Sequence, residues 1–129
     1  MTKVVLDASA VLSLLLGEPG ADVVKQHLAD HCISALNYSE VLARTMKLCG
    51  SLADAKRQVD RHDLCVIAYD AEQATVTASL VPATKSLGLS LADRACLALA
   101  RREGLPAMTA DRAWGQLTGA DMPKIVVIR

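Results

Sequence analysis

Val4-Val5-Leu6-Asp7-Ala8-Ser9-Ala10 opens with three apolar residues, meets one carboxylate, and passes into helix formers that run to Leu16 before Gly17-Glu18-Pro19-Gly20 stops them. A wholly apolar run of this length suits a strand covered on both faces, and the periodic segment behind it suits a helix, so Asp7 marks a strand-to-helix junction. Outward from this stretch the same rhythm repeats. Ala21 to His31 puts Val24, His27, Leu28 and His31 on one helical face; Cys32-Ile33-Ser34 reads as a second strand, and a helix follows from near Asn37. Gly50-Ser51 separates it from a charged helix over Leu52 to Asp63. Leu64 to Ala68 reads as a strand, and Asp70 begins a long helical region interrupted at Pro82 and ended at Gly88. Ser90 opens a helix to Arg102 that Gly104 closes. Pro106 to Thr109 is a fourth strand, Arg112 to Leu117 a short helix, and Ile125 to Ile128 a last strand. Apolar strands each separated by helices predict a three-layer α/β/α sandwich around a mostly parallel sheet, with 1–129 as a single domain.

Composition narrows the chemistry. The 129 residues include 52% hydrophobic residues and no Phe, enough for a domain that buries about 68% of its unfolded surface. Fourteen Lys plus Arg balance fourteen Asp plus Glu, so no whole-molecule field draws the chain to nucleic acid or an anionic membrane; contact with a polyanion needs a local patch. Trp114, Tyr38 and Tyr69 are too few for the stacking platforms of single-strand binders. Cys32, Cys49, Cys65 and Cys96 lack both C-x-x-C spacing and a neighbouring His pattern, which predicts reduced thiols and a cytoplasmic protein. Val4 to Leu16, interrupted by Asp7, is too short to span a bilayer.

In open parallel sheets, ligands bind beyond the carboxyl ends of the strands. Four acidic residues fall at such places: Asp7 after the first strand, Glu40 and Asp93 early in their helices, and Asp111 after Met108-Thr109. Capping alone explains any one of them. Asp7 and Asp111 suit N-caps, and Asn37-Tyr38-Ser39-Glu40 and Ser90-Leu91-Ala92-Asp93 both suit a capping box. Gathered at one edge, however, four carboxylates repel one another and raise one another's pKa, and a divalent cation is the natural remedy. Mg²⁺ or Mn²⁺ takes oxygen ligands, keeps several waters, and can turn a bound water against a phosphodiester, so no Cys, His or Ser nucleophile is required.

With Asn37-Tyr38-Ser39-Glu40-Val41, Leu89 through Ala100 and Met108-Thr109-Ala110-Asp111-Arg112-Ala113-Trp114 set beside Val4 to Ala10, the chain resembles PIN-domain ribonucleases, in particular VapC-type toxins. The resemblance spans almost the whole chain and retains all four acidic positions. It implies a PIN fold, an endoribonuclease dependent on Mg²⁺ or Mn²⁺, an RNA substrate, a homodimer, and inhibition by a VapB-type antitoxin. It further implies that Asp7, Glu40, Asp93 and Asp111 are the catalytic and metal-binding residues. Asp7 and Asp93 would be direct ligands, with the other two binding directly or through water. Ser9 and Thr109 resemble hydroxyl residues that support the aspartates, although turn and helix-start hydroxyls are an equal reading.

Other features have plainer readings. His27 and His31, at i and i+4, can in principle grip a metal from one helix face, but Leu28 stands where an H-E-x-x-H protease needs Glu. Arg44, Lys47, Lys56, Arg57 and Arg61 form either an RNA-phosphate patch or solvated helix faces. Arg94 and Arg112, each directly behind an acidic residue, can pair with a carboxylate or meet substrate. Trp114 can stack on a base or pack in the core. A haloacid-dehalogenase-like phosphotransferase also puts Asp after its first strand, but it wants a second Asp where Ser9 stands. A non-catalytic PIN-fold interaction module would be expected to have lost at least one acidic residue. Neither G-x-G-x-x-G nor G-x-x-x-x-G-K-[ST] occurs, which disfavours nucleotide-binding enzymes.

Overall fold

The computed structural model describes residues 3–129. Five strands, β1 (Val4–Leu6), β2 (His31–Ser34), β3 (Val66–Ile67), β4 (Ala107–Thr109) and β5 (Ile125–Val127), form one sheet in the order β3-β2-β1-β4-β5, every pairing parallel. Seven α-helices connect them: α1 (Ala8–Leu16), α2 (Ala21–Gln26), α3 (Ala35–Cys49), α4 (Leu52–Asp60), α5 (Ala71–Ser79), α6 (Val81–Thr84) and α7 (Leu91–Glu103). Short 3-10 turns follow α6 and β4.

Side chains along β1 alternate between two cores, as the pleat requires. Val4 and Leu6 join Val11, Val24, Ile33, Val41 and Val59 beneath α1 to α4, whereas Val5 joins Cys96 to Ala100, Leu80 and Trp114 beneath α5 to α7. The result is the expected α/β/α sandwich. From β1 the chain first builds outward through β2 to β3, then returns to pair β4 on the other side of β1, so the topological switch lies between β1 and β4. Their carboxyl ends present Asp7 and Thr109.

Several local expectations need correction. The helix expected over Ala21 to His31 stops at Gln26, and His31 becomes the first residue of β2, paired with Val4. Sheet pairing there overrides the helical period. Nδ1 of His31 lies 3.0 Å from the Leu28 carbonyl, and Nε2 accepts the Cys65 N–H at 3.1 Å. This imidazole is therefore a bracket between β2 and the start of β3, and the i, i+4 histidine pair does not form on a helix. The box expected at Asn37 to Glu40 is absent as well: Ser34 caps α3 by accepting the Leu36 N–H, which places Asn37 inside the helix. Trp114 is 0% exposed in the second core, which removes it as a base-stacking surface. At the periphery, the strand expected over Leu64 to Ala68 keeps only Val66–Ile67, and Val66 is exposed because it lies on the sheet edge.

Candidate active site

Asp7 sits at the switch point with only 3% of its surface exposed. It occupies the N-cap position of α1, yet its side chain caps nothing there. Instead, Oδ2 accepts two hydroxyl protons, from Ser9 at 2.6 Å and from Thr109 at 2.9 Å. The two hydroxyl oxygens in turn accept backbone N–H groups, Ser9 from Ala110 and Thr109 from Asp111. Each hydroxyl has one proton, and both protons point at Asp7, so the 3.1 Å approach of Ser9 to Thr109 is a contact within a filled network. Oδ1 receives only a long bond, 3.4 Å, from Asn37 Nδ2. One carboxylate oxygen is thus fixed across β1 and β4, and the other faces α3 and α7.

The other three acidic residues do not contribute equally. Burial pushes the Asp7 carboxyl up to about 6, the Ser9 bond opposes this, and the negative charges of Asp93 and Glu40 raise it further. Glu40 is likewise raised, first by burial and then by Asp93, with Arg44 pulling the other way. Asp7, Glu40 and Asp93 therefore form one mutually repelling group. Asp93 Oδ2 accepts the Ser90 N–H at 2.9 Å while Ser90 Oγ accepts the Asp93 N–H, so the second expected capping box is real and engages one Asp93 oxygen. Asp111 is exposed, and its Oδ1 caps the following 3-10 helix through the Ala113 N–H at 3.0 Å. It adjoins the group through Thr109, without featuring among the charges that perturb Asp7 or Glu40. Among the described residues no three His, Cys, Asp or Glu side chains stand together as a ready-made cage for one ion.

Asn37 is the residue whose part was missed by reading the sequence. It is 0% exposed, its Nδ2 donates to the Ala92 carbonyl at 3.0 Å as well as to Asp7, and its Oδ1 is buried with no partner. Asn37, Val41 and Thr45 form the buried stripe of α3, so an amide at the head of a four-residue spacing was the available signal. Arg94 donates to the Leu89 carbonyl and Arg112 to the Arg129 carbonyl. In the basic group, Lys56 pairs with Asp60 and Arg57 with Asp54 within α4. Arg44, the cation that lowers Glu40, stands on α3 and is exposed.

An acidic edge at the switch point of a five-stranded parallel sheet, buttressed by hydroxyls from α1 and β4, defines an α/β/α protein built around a carboxylate site. Residues 4–119 match the PIN domain family model, and the chain belongs to the PIN domain family. Its fold is shared with solved toxin–antitoxin structures. VapBC2 of Rickettsia felis, bound to a promoter DNA fragment, superposes with a TM-score of 0.74 at 12% identity, covering 98% of this chain and 99% of that one. The DNA-bound VapBC of Salmonella typhimurium gives 0.69 at 20% identity with full coverage of both chains. VapC20 of Mycobacterium tuberculosis, a Sarcin-Ricin loop cleaving toxin, gives 0.69 at 16% identity, covering 89% of this chain and 96% of that one. No curated protein matches the chain in sequence. Among the described residues, no helix is long and apolar enough to cross a membrane.

Proposed function

We propose that this chain is an endoribonuclease dependent on Mg²⁺ or Mn²⁺, acting as the toxin of a toxin–antitoxin pair. The observation that carries the proposal is Asp7: a buried carboxylate raised to about 6, immobilised on one oxygen, and faced by Asp93 and Glu40. Uncompensated negative charge of this kind, supplied only by oxygen donors, fits a hard divalent cation. The lack of a closed three-ligand cage among the described residues suits an ion held by one or two carboxylates and otherwise by water. Asp7 would hold it through Oδ1, because Oδ2 is committed to Ser9 and Thr109. Asp93 would contribute the oxygen not engaged by Ser90, and Glu40 and Asp111 would bind directly or through water.

When bound, such a cation lowers the pKa of a water for attack on phosphorus and stabilises the leaving oxygen. The protein supplies the rest. Ser9 and Thr109 keep Asp7 from rotating, Asn37 and the Ser90 box fix the neighbours, and Glu40, raised by burial, is suited to accept a proton from a water. Arg44, Lys47 and Arg61, all exposed, supply the positive charge that a neutral chain needs to approach an RNA backbone. The proposed protein partners are a second copy of the chain and a VapB-type antitoxin. The solved relatives that are antitoxin complexes support this reading, as do exposed Leu48 and Leu52 at the α3–α4 turn and Leu91 at the start of α7. Reduced cysteines, all four free, are consistent with a cytoplasmic setting.

Purified protein incubated with structured RNA tests the assignment. Cleavage is expected with Mg²⁺ or Mn²⁺, and EDTA or Asp93→Asn should abolish it. Cleavage that survives both overturns the proposal.

A further inference from the structure

The three elements that carry the interacting carboxylates meet at a single amide. Asn37 lies on α3 three residues before Glu40, its Nδ2 donates to the carbonyl of Ala92, the α7 residue before Asp93, and the same nitrogen reaches Oδ1 of Asp7 beyond β1. Both contacts are acceptors, so the amide cannot be turned round, and the nitrogen must face them. Oδ1 of Asn37 is left buried without a donor, although the side chain is wholly enclosed.

Packing alone does not call for this arrangement. Leu has the same branched outline as Asn and leaves no side-chain carbonyl unpaired, and burying an unpaired polar atom opposes folding. An amide kept here in spite of that cost is kept for its nitrogen, the atom that touches both Asp7 and the residue before Asp93. We propose that Asn37 is a positioning residue: Nδ2 sets the placing of Asp7 and Asp93 relative to Glu40, and so the spacing of the carboxylates that would hold the divalent cation. This rests on the metal-centre reading above. Asn37 is not required to touch RNA, and its effect on cleavage passes through the carboxylates.

The test uses Mn²⁺ alone as probe, with the full chain and the variants Asn37→Leu and Asn37→Ser. The Mn²⁺ Kd is read from the resonance of the free ion, stability from melts in EDTA, and cleavage as separate kcat and KM values. Asn37→Leu is expected to melt in EDTA at or above the parent temperature while its Mn²⁺ Kd rises by about 10- to 100-fold, the usual cost of losing a partner behind the ligands. Its kcat should fall while KM changes little. Asn37→Ser, too short to reach both acceptors, should weaken Mn²⁺ in the same direction and keeps the test alive if the Leu variant does not fold. Leu and Ser variants that bind Mn²⁺ within twofold of the parent, whether or not their stability has dropped, overturn the inference. A parent chain that binds no Mn²⁺ overturns the metal-centre reading together with it, so the two failures are distinguishable.

Discussion

At the scale of single residues, Asp7 shows what a site demands of a fold. Its position in the sequence is that of an N-cap, and capping would have left it half in water; the structure instead buries it and gives it two hydroxyl partners, one from the first turn of α1 and one from β4. Between about pH 4 and 6 the folded chain therefore keeps a proton on Asp7 that the unfolded chain has already released. Metal-free stability must fall as pH rises through that window, and the rise from 3.8 to about 6 corresponds to about 3 kcal/mol above it. Denaturant titrations in EDTA at pH 4 and pH 7 are expected to show this loss in the parent and little of it in Asp7→Asn; the same pH dependence in both proteins would remove Asp7 as its source. A carboxyl NMR titration should place Asp7 near 6, and higher still in Thr109→Val, which deletes a bond that favours the charged form. The order of the acidic residues was readable before the structure because strand ends and helix starts are local features. The division among them was not. That Asp7, Glu40 and Asp93 interact depends on contacts between parts of the chain far apart in sequence, and so does the part played by Asn37, whose two bonds span 30 and 55 residues.

At the scale of elements, periodicity located nearly all helices and strands, and errors fell where tertiary pairing outweighed it. His31 satisfies a helical period but pairs with Val4, and Ser34 caps α3 earlier than the Asn37 box suggested. These errors have consequences that can be measured. Because His31 accepts the Cys65 N–H at the start of the edge strand, His31→Leu leaves a backbone donor unpaired and is expected to cost about 1–3 kcal/mol, with hydrogen exchange quickening first at Cys65 and its neighbours on β3. Unchanged protection there would refute the bracket. Gly20 closes the α1–α2 turn at φ +96°, and an added Cβ would lie 2.7 Å from Cγ1 and 2.9 Å from the carbonyl oxygen of Ile128. Gly20→Ala should therefore destabilise by at least about 1 kcal/mol, seen as a lower denaturation midpoint at constant m, because positive φ and overpacking act together.

At the scale of the whole molecule, zero formal charge, two cores and an acidic edge describe a chain that folds around a carboxylate cluster it does not need for stability. Repulsion within that cluster is costly without a counter-ion and useful with one. The comparison that tests this most directly is thermal melting of the parent and Asp7→Asn at pH 7, first in EDTA and then across a Mn²⁺ titration reaching millimolar. In EDTA the variant is expected to melt at or above the parent. With Mn²⁺ at about a hundredfold excess over Kd the parent should gain about 2.7 kcal/mol. The variant should lose most of that gain, so that the order of stability reverses. Equal Mn²⁺-induced shifts in the two proteins would contradict the claim, because Asp7 would then be a structural residue and not a ligand.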